Sequence, residues 1–214
     1  QHIYGLLFKL LWPLASGRAF YQAQVAFPEN VVDIQKNIAD LKIPNYVITS
    51  PALLKRWTSE VVLHDNITAY SSGGKLEEGI RPTLAFKITE VFGSSETGGI
   101  AYREADALPW TPFSNVQVKH TEQQELAVKA THAFSQDWNF TGDQVELATP
   151  NNPQSAFKLL GRLDRIVKLE EKRISLDAIE HKLLELNMVE QCHVLVFEKE
   201  HRQILASVVV LTEA

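Results

Sequence analysis

Residues 28–57 constrain the fold most, because two hydrophobic periods alternate within them. Val31, Ile34, Ile38 and Leu41 recur at intervals of three and four behind Pro28-Glu29-Asn30, the spacing of one helix face. The short apolar run Tyr46-Val47-Ile48 follows, and Pro51 then opens a second helical pattern through Leu53, Leu54 and Trp57. A strand set between helical segments is the rhythm of a parallel sheet with helices packed on it. A further short strand is expected before Gly73-Gly74.

The rest of the chain reads differently. Residues 116–119 and 125–130 are rich in β-formers, and Val145-Glu146-Leu147 and Phe157-Lys158-Leu159-Leu160 flank Pro150-Asn151-Asn152-Pro153 as a hairpin would. Ser175 is placed to cap a helix from Leu176 to about Asn187, with Asp177 near its positive end and Ile179, Leu183 and Leu186 on its apolar face. Two strands, near 192–197 and 204–211, close the chain. Ile3 to Ala15 is the most apolar stretch, but it carries Lys9 and falls short of the roughly 20 residues a membrane span needs. It reads as a buried helix, and no integral membrane segment is expected.

Composition excludes several classes. With 214 residues, 45% of them apolar, the chain is large enough to bury a core without metal or disulfide staples. A net charge of −5 argues against a nucleic-acid partner. Cys192 is the only cysteine, so an internal disulfide and a cysteine-rich zinc site are both excluded, which fits a cytoplasmic protein. The chain opens on Gln1 and its only methionine is Met188. A piece of a longer protein is therefore expected.

Three loops carry candidate chemistry. Val91-Phe92-Gly93-Ser94-Ser95-Glu96-Thr97-Gly98-Gly99 brings glycines, which let backbone amides approach an anion, beside hydroxyls at Ser94, Ser95 and Thr97 and a carboxylate at Glu96 suited to magnesium. It lacks the Gly-Lys-Ser/Thr ending of a Walker loop, and a plain glycine-rich turn reads equally from its spacing. Phe140-Thr141-Gly142-Asp143 offers a carboxylate that can accept two hydroxyl protons, or is an ordinary Asp turn. Gly161-Arg162-Leu163-Asp164-Arg165-Ile166-Val167-Lys168 can contact phosphate or ribose oxygens, or is a solvated linker between strands.

In order and spacing these loops resemble the adenylate-forming superfamily of acyl-CoA synthetases, amino-acid adenylation domains and luciferases. His2-Ile3-Tyr4-Gly5 resembles the family's His-x-x-Gly segment, and Phe27-Pro28-Glu29 and Ile48-Thr49-Ser50-Pro51 its helix and strand landmarks. Ser72-Gly73-Gly74 resembles its Ser-Gly-Gly turn, and Phe92-Gly93-Ser94-Ser95-Glu96-Thr97 its Tyr-Gly-x-Thr-Glu motif. Thr141-Gly142-Asp143, Gly161-Arg162-x-Asp164, Arg173-Ile174-Ser175 and Glu180 complete an ordered set that covers nearly the whole chain.

The resemblance implies an α/β fold in two parts. Residues 1–161 would form the C-terminal portion of a large domain, a parallel sheet with helices plus a distorted β-barrel portion. Residues 162–214 would form a small, truncated α+β domain. It implies an ATP-dependent carboxylate–thiol ligase working through an acyl-adenylate, with ATP, magnesium and a thiol acceptor, either CoA or the pantetheine of a carrier protein. Phe92 would stack on adenine, Gly73 and Gly74 would line the adenine and acyl pockets, and Gly93 would stand in the nucleotide loop. His2 would lie beside the acyl group. Ser95 would touch the α-phosphate, Glu96 would hold magnesium, Asp143 would accept both ribose hydroxyls and Arg162 would contact the ribose. Asp164 would be the hinge.

Two departures accompany the matches. The family's glycine-rich phosphate loop and its C-terminal catalytic lysine find no counterpart in the chain, so this piece alone is expected to adenylate poorly. Glu171 stands where the family has a glycine, which leaves a second reading, a non-catalytic adenylate-binding or scaffold domain. Apolar surface left uncovered in such a piece is expected to favour self-association. The acid itself, aryl or fatty, is not legible.

Overall fold

The computed structural model describes residues 3–38, 44–57, 67–77, 79–84, 86–133, 135–169, 172–199 and 202–212. His2, Leu41, Glu171 and His201 lie outside the described residues.

The expected parallel sheet is present. Strand β1 (Asn45–Thr49) pairs in parallel with β2 (Ile67–Ser71), and β2 pairs in parallel with β3 (Lys87–Ser94). Strands β4 (Gly98–Arg103) and β5 (Thr111–Pro112) extend the sheet antiparallel. Side chains alternate along β2, so Ile67, Ala69 and Ser71 are buried on one face. There Val31, Leu54, Trp57, Leu76, Leu84 and Ile88 complete a core supplied by helices α3 (Pro28–Ile38) and α4 (Pro51–Leu54) and the segment beyond them. Helix α3 buries Pro28, Val31 and Gln35, so its inner stripe runs through Gln35 and leaves Ile34 and Ile38 half-buried.

The opposite face corrects the expectation of a buried helix at the N terminus. Helix α1 (Ile3–Gly5) continues through a π-helical turn, Leu6–Leu11, into α2 (Trp12–Ala15). Phe8 and Trp12 lie against Tyr70 of β2, and Trp12 against Tyr46 of β1, with ring centroids 5.5–6.4 Å apart. Only that aromatic side is covered. Leu6, Leu11 and Leu14 face solvent, and Tyr4 is the one described side chain of α1, α2 and the turn that is fully buried.

A second, antiparallel sheet holds β6 (Val116–His120), β7 (Glu125–Ala130), β8 (Asn139–Leu147) and β9 (Phe157–Arg162) in that order. Its core gathers Val116, Val118, Leu126, Val128, Val145 and Phe157. Trp110 and Phe157 exchange both backbone hydrogen bonds, at 2.7 and 2.9 Å, and so join β9 to the approach of β5. The Phe140–Asp143 segment is not a turn before a strand. It lies within β8, where the register slips near Gln144 and Gly142 takes φ +74°.

After β9 a single 3-10 turn, Leu163–Arg165, leads to β10 (Ile166–Leu169) and β11 (Lys172–Ser175), an antiparallel pair. Helix α5 (Leu176–Leu184) follows, capped by Ser175, whose Oγ accepts from Ala178 N at 3.2 Å. It ends earlier than expected, because the chain turns directly into β12 (Val189–Lys199), which pairs antiparallel with β13 (Arg202–Leu211). Arg165 binds this region together. Its Nε donates to Asp177 Oδ1 at 2.8 Å, its Nη1 to the Val194 carbonyl at 3.1 Å, and its Nη2 to Glu180.

Candidate functional site

The glycine-rich segment is a tight hairpin between β3 and β4. Ser94 and Gly98 are register partners and Ser95-Glu96-Thr97 form the loop. Gly98 takes φ +69°, the left-handed residue that closes a three-residue hairpin loop. Two of the three hydroxyls are spent on the turn. Thr97 Oγ1 accepts from Ser94 N at 3.2 Å, and Ser94 Oγ accepts from the Glu96 and Thr97 amides, each at 3.2 Å. Ser95 and Glu96 are exposed. Hydrogen bonding to Ser94 holds the Glu96 carboxyl below its usual range, so it stands as an anion at the loop tip.

Gly93 fixes how closely the two strands approach. A Cβ on it would lie 2.0 Å from the Gly98 carbonyl oxygen. Phe92 is half-buried, its ring 5.5 Å from Trp110 and 6.0 Å from Phe157. On the other side of β3, Val91, Gly93 and Ser94 border a concavity completed by Gly98, Gly99, Ser72 and the helical residues Tyr4, Leu7 and Phe8. Tyr4 is the one titratable side chain in this lining, and its phenol, pushed further up by burial, is neutral at pH 7, so the lining carries no charge. Ser72 precedes Gly73 (φ +91°) and Gly74 in the turn that leaves β2. The fold thus brings the Ser-Gly-Gly turn and the β3–β4 hairpin to one concavity, with the π turn as its third wall. The sequence pattern did not point to Leu7 and Phe8.

The second group forms where the middle of β8 meets the end of β9. Asp143 and Arg162 are register partners. Arg162 Nη1 donates to Asp143 Oδ1 at 3.3 Å, while its Nε and Nη2 donate to Asp164 at 3.0 and 3.4 Å. Burial raises the Asp143 pKa, offset in part by the Thr141 hydroxyl and Arg162. The Arg162 hydrogen bond holds the exposed Asp164 below its usual range. Glu125 shapes this corner from β7, accepting the Gly142 amide at 3.1 Å.

A third cluster had no forecast. Glu90, in the middle of β3, is buried and pairs with the half-buried Arg81 and Arg103. A charge between the apolar residues Ile88 and Val91 was the available signal. Among the described residues no group of three or more His, Cys, Asp or Glu side chains could hold a metal. No helix among them is long and apolar enough to cross a membrane. Cys192 donates to the Glu180 carbonyl at 3.3 Å, a packing role.

The fold agrees with that of known proteins. E. coli MenE, solved with a phenylether-linked analogue of OSB-AMS, matches 100% of the chain and 49% of its own, with a TM-score of 0.75 at 16% identity. The O-succinylbenzoate coenzyme A synthetase of Bacillus subtilis, in complex with ATP and a magnesium ion, matches 100% of the chain and 50% of its own, with a TM-score of 0.72 at 18% identity. Among curated proteins, VraA of Staphylococcus aureus (strain MRSA252), a candidate long chain fatty acid-CoA ligase, is 28% identical over 145 residues, which are 60% of this chain and 31% of VraA. No family model matches the chain. The chain has the fold of part of an adenylate-forming acyl- or aryl-CoA ligase. It spans about half the length of the solved structures and about a third of the curated relative.

Proposed function

We propose that the chain is the central-to-C-terminal part of an ATP-dependent acid–thiol ligase that works through an acyl-adenylate. The observation that carries this reading is the Asp143–Arg162–Asp164 cluster, set in the fold of ligases of which one is solved with ATP and magnesium. In this reading Asp143 accepts the two ribose hydroxyls and Arg162 holds the ribose edge. Phe92 presents a planar face to adenine, and Gly73 and Gly74 let backbone lie flat beside it. Ser95, whose hydroxyl is not spent on the turn, donates to the α-phosphate.

Magnesium suits Glu96, since that ion takes one or two carboxylates and fills its other positions from phosphates and water. When bound it would neutralise phosphate charge. The chain's own contribution is positioning and electrostatics: amides and hydroxyls around Ser95 meet the charge that builds on the α-phosphoryl group. The uncharged concavity around Phe8, Val91 and Gly99 takes the tail of an acid without a second charge. A small acid and CoA or a carrier-protein thiol are the partners. Asp164 is the hinge between residues 1–161 and 162–214. The exposed Val208, Val210 and Leu211 of β13 are a surface through which this piece would self-associate.

Carboxylate-dependent ATP–pyrophosphate exchange, measured on this chain beside its full reading frame, tests the proposal. Exchange in the full frame with a panel of aryl and fatty acids is expected. Its absence across the panel would leave an adenylate-binding or scaffold domain.

A further inference from the structure

We infer that Glu90 is a positioning residue for the nucleotide contacts. Its buried carboxylate fixes the Ser72–Gly74 turn relative to Phe92. This rests on the proposed reading of those two segments as nucleotide contacts.

Glu90 sits in β3 opposite Ser71, the last residue of β2 before the turn. Its side chain is 3% exposed. Both oxygens are fully used. Oε2 accepts from Arg81 Nη2 at 2.7 Å and Arg103 Nε at 2.8 Å, and Oε1 accepts from Arg103 Nη2 at 3.2 Å and the Leu76 amide at 3.3 Å. The Leu76 bond secures the exit of the turn. Arg103 leads the other way: its guanidinium lies 4.6 Å from the Trp110 ring centroid, and Trp110 packs 5.5 Å from Phe92. A continuous path of direct contacts thus runs from the turn through one carboxylate to the Phe92 ring. Arg81 braces it, donating to the Ile88 and Glu104 carbonyls at 2.6 and 3.0 Å and to Asp106 at 3.2 Å.

A buried ion pair is a poor way to gain stability, because well-packed apolar groups of similar volume often do as well. What apolar groups cannot supply is direction. Only a forked acceptor can hold a backbone amide and a guanidinium at fixed angles together. A ligand gripped at both segments binds well only if their separation is set beforehand, and small misplacements are costly.

The test uses Glu90→Gln, which keeps shape but loses charge, and Arg103→Lys, which keeps charge but cannot fork. Amide hydrogen exchange over residues 72–77 is measured well below the unfolding midpoint, together with AMP titration of the chain and ATP KM in the full frame. Both variants are expected to exchange faster at 73–76 and to weaken nucleotide binding by about tenfold, as for one lost directed contact. The expected split is a rise in KM larger than the fall in kcat. A lowered unfolding midpoint with local exchange and affinity unchanged would reduce Glu90 to a structural residue and overturn the inference. If the unsubstituted proteins bind no AMP, the nucleotide reading of the turn fails instead, and exchange at 73–76 alone decides whether Glu90 holds it.

Discussion

Asp143 and Arg162 face each other across β8 and β9, and the same guanidinium that reaches Asp143 at 3.3 Å forks onto Asp164 at 3.0 Å. One cation therefore serves two carboxylates on either side of it. A lysine cannot repeat this, since an ammonium is a point charge without a planar fork. Arg162→Lys is expected to weaken AMP binding by about tenfold, close to 1.4 kcal/mol. The stability change should be small, because Arg162 and Asp164 are exposed and such pairs contribute about 0–1 kcal/mol. Titration calorimetry beside thermal unfolding separates the two, and an unchanged affinity would overturn the proposed contact of Arg162 with the nucleotide.

The pH response of this cluster has two signs. Burial raises the Asp143 pKa, so the folded state holds that proton more tightly than the unfolded chain. The stability this gives is complete below the unfolded pKa and is lost as pH rises through the folded one. Asp164, lowered by Arg162, contributes above its unfolded pKa and loses that contribution as pH falls through its folded value. Unfolding midpoints of the protein and of Asp143→Asn, followed from about pH 3 to pH 7, should show the protein losing ground to the variant as pH rises. A protein that instead gains on the variant as pH rises would contradict the burial argument. The proposed ribose contact needs the ionised form of Asp143, so nucleotide affinity should begin to fall at a higher pH than an ordinary aspartate would set.

Ser71 Oγ is buried and has no hydrogen-bond partner among the described residues. An unsatisfied buried hydroxyl is a cost, and removing it leaves little space to refill. Ser71→Ala is expected to stabilise the chain by about 1 kcal/mol. Chemical denaturation measures this directly, and a loss of stability would mean that the hydroxyl is bonded in solution.

Gly93 and Gly74 should respond unequally. A Cβ at Gly93 meets the Gly98 carbonyl oxygen at 2.0 Å, so Gly93→Ala must force β3 and β4 apart, at a cost of about 1–3 kcal/mol or more. At Gly74 the nearest atom is Pro51 Cγ at 3.8 Å, an ordinary contact, and Gly74→Ala should fold with nearly unchanged stability. A loss at Gly93 as small as that at Gly74 would show that the hairpin can yield.

Much of the fold was legible because its signals are local. The period change from Val31 to Ile48 marks a helix and a strand wherever it occurs. Ser175 is an N-cap by its own chemistry, and the Pro150–Pro153 cluster separates β8 from β9 as expected. Signals that depend on what lies opposite were misread. Ile3 to Ala15 is apolar enough for burial, yet only its aromatic side meets the sheet, and Leu11 and Leu14 are left to solvent. Phe140–Asp143 has turn composition, but pairing with β7 and β9 makes it a bulged strand. Ser94 and Thr97 have the chemistry of phosphate donors, yet their hydroxyls close the hairpin.

The sequence by itself determined the order of elements and the residue types available at each loop, because helix period, capping and turn chemistry act over a few neighbouring residues. Tertiary structure alone decided which of those residues meet. Strand register sets Asp143 against Arg162, and burial ties Glu90 to Arg81, Arg103 and Leu76. A π turn brings Leu7 and Phe8 to the concavity beside Gly93. Pairing register and burial depend on contacts distant in sequence, and no local pattern encodes them.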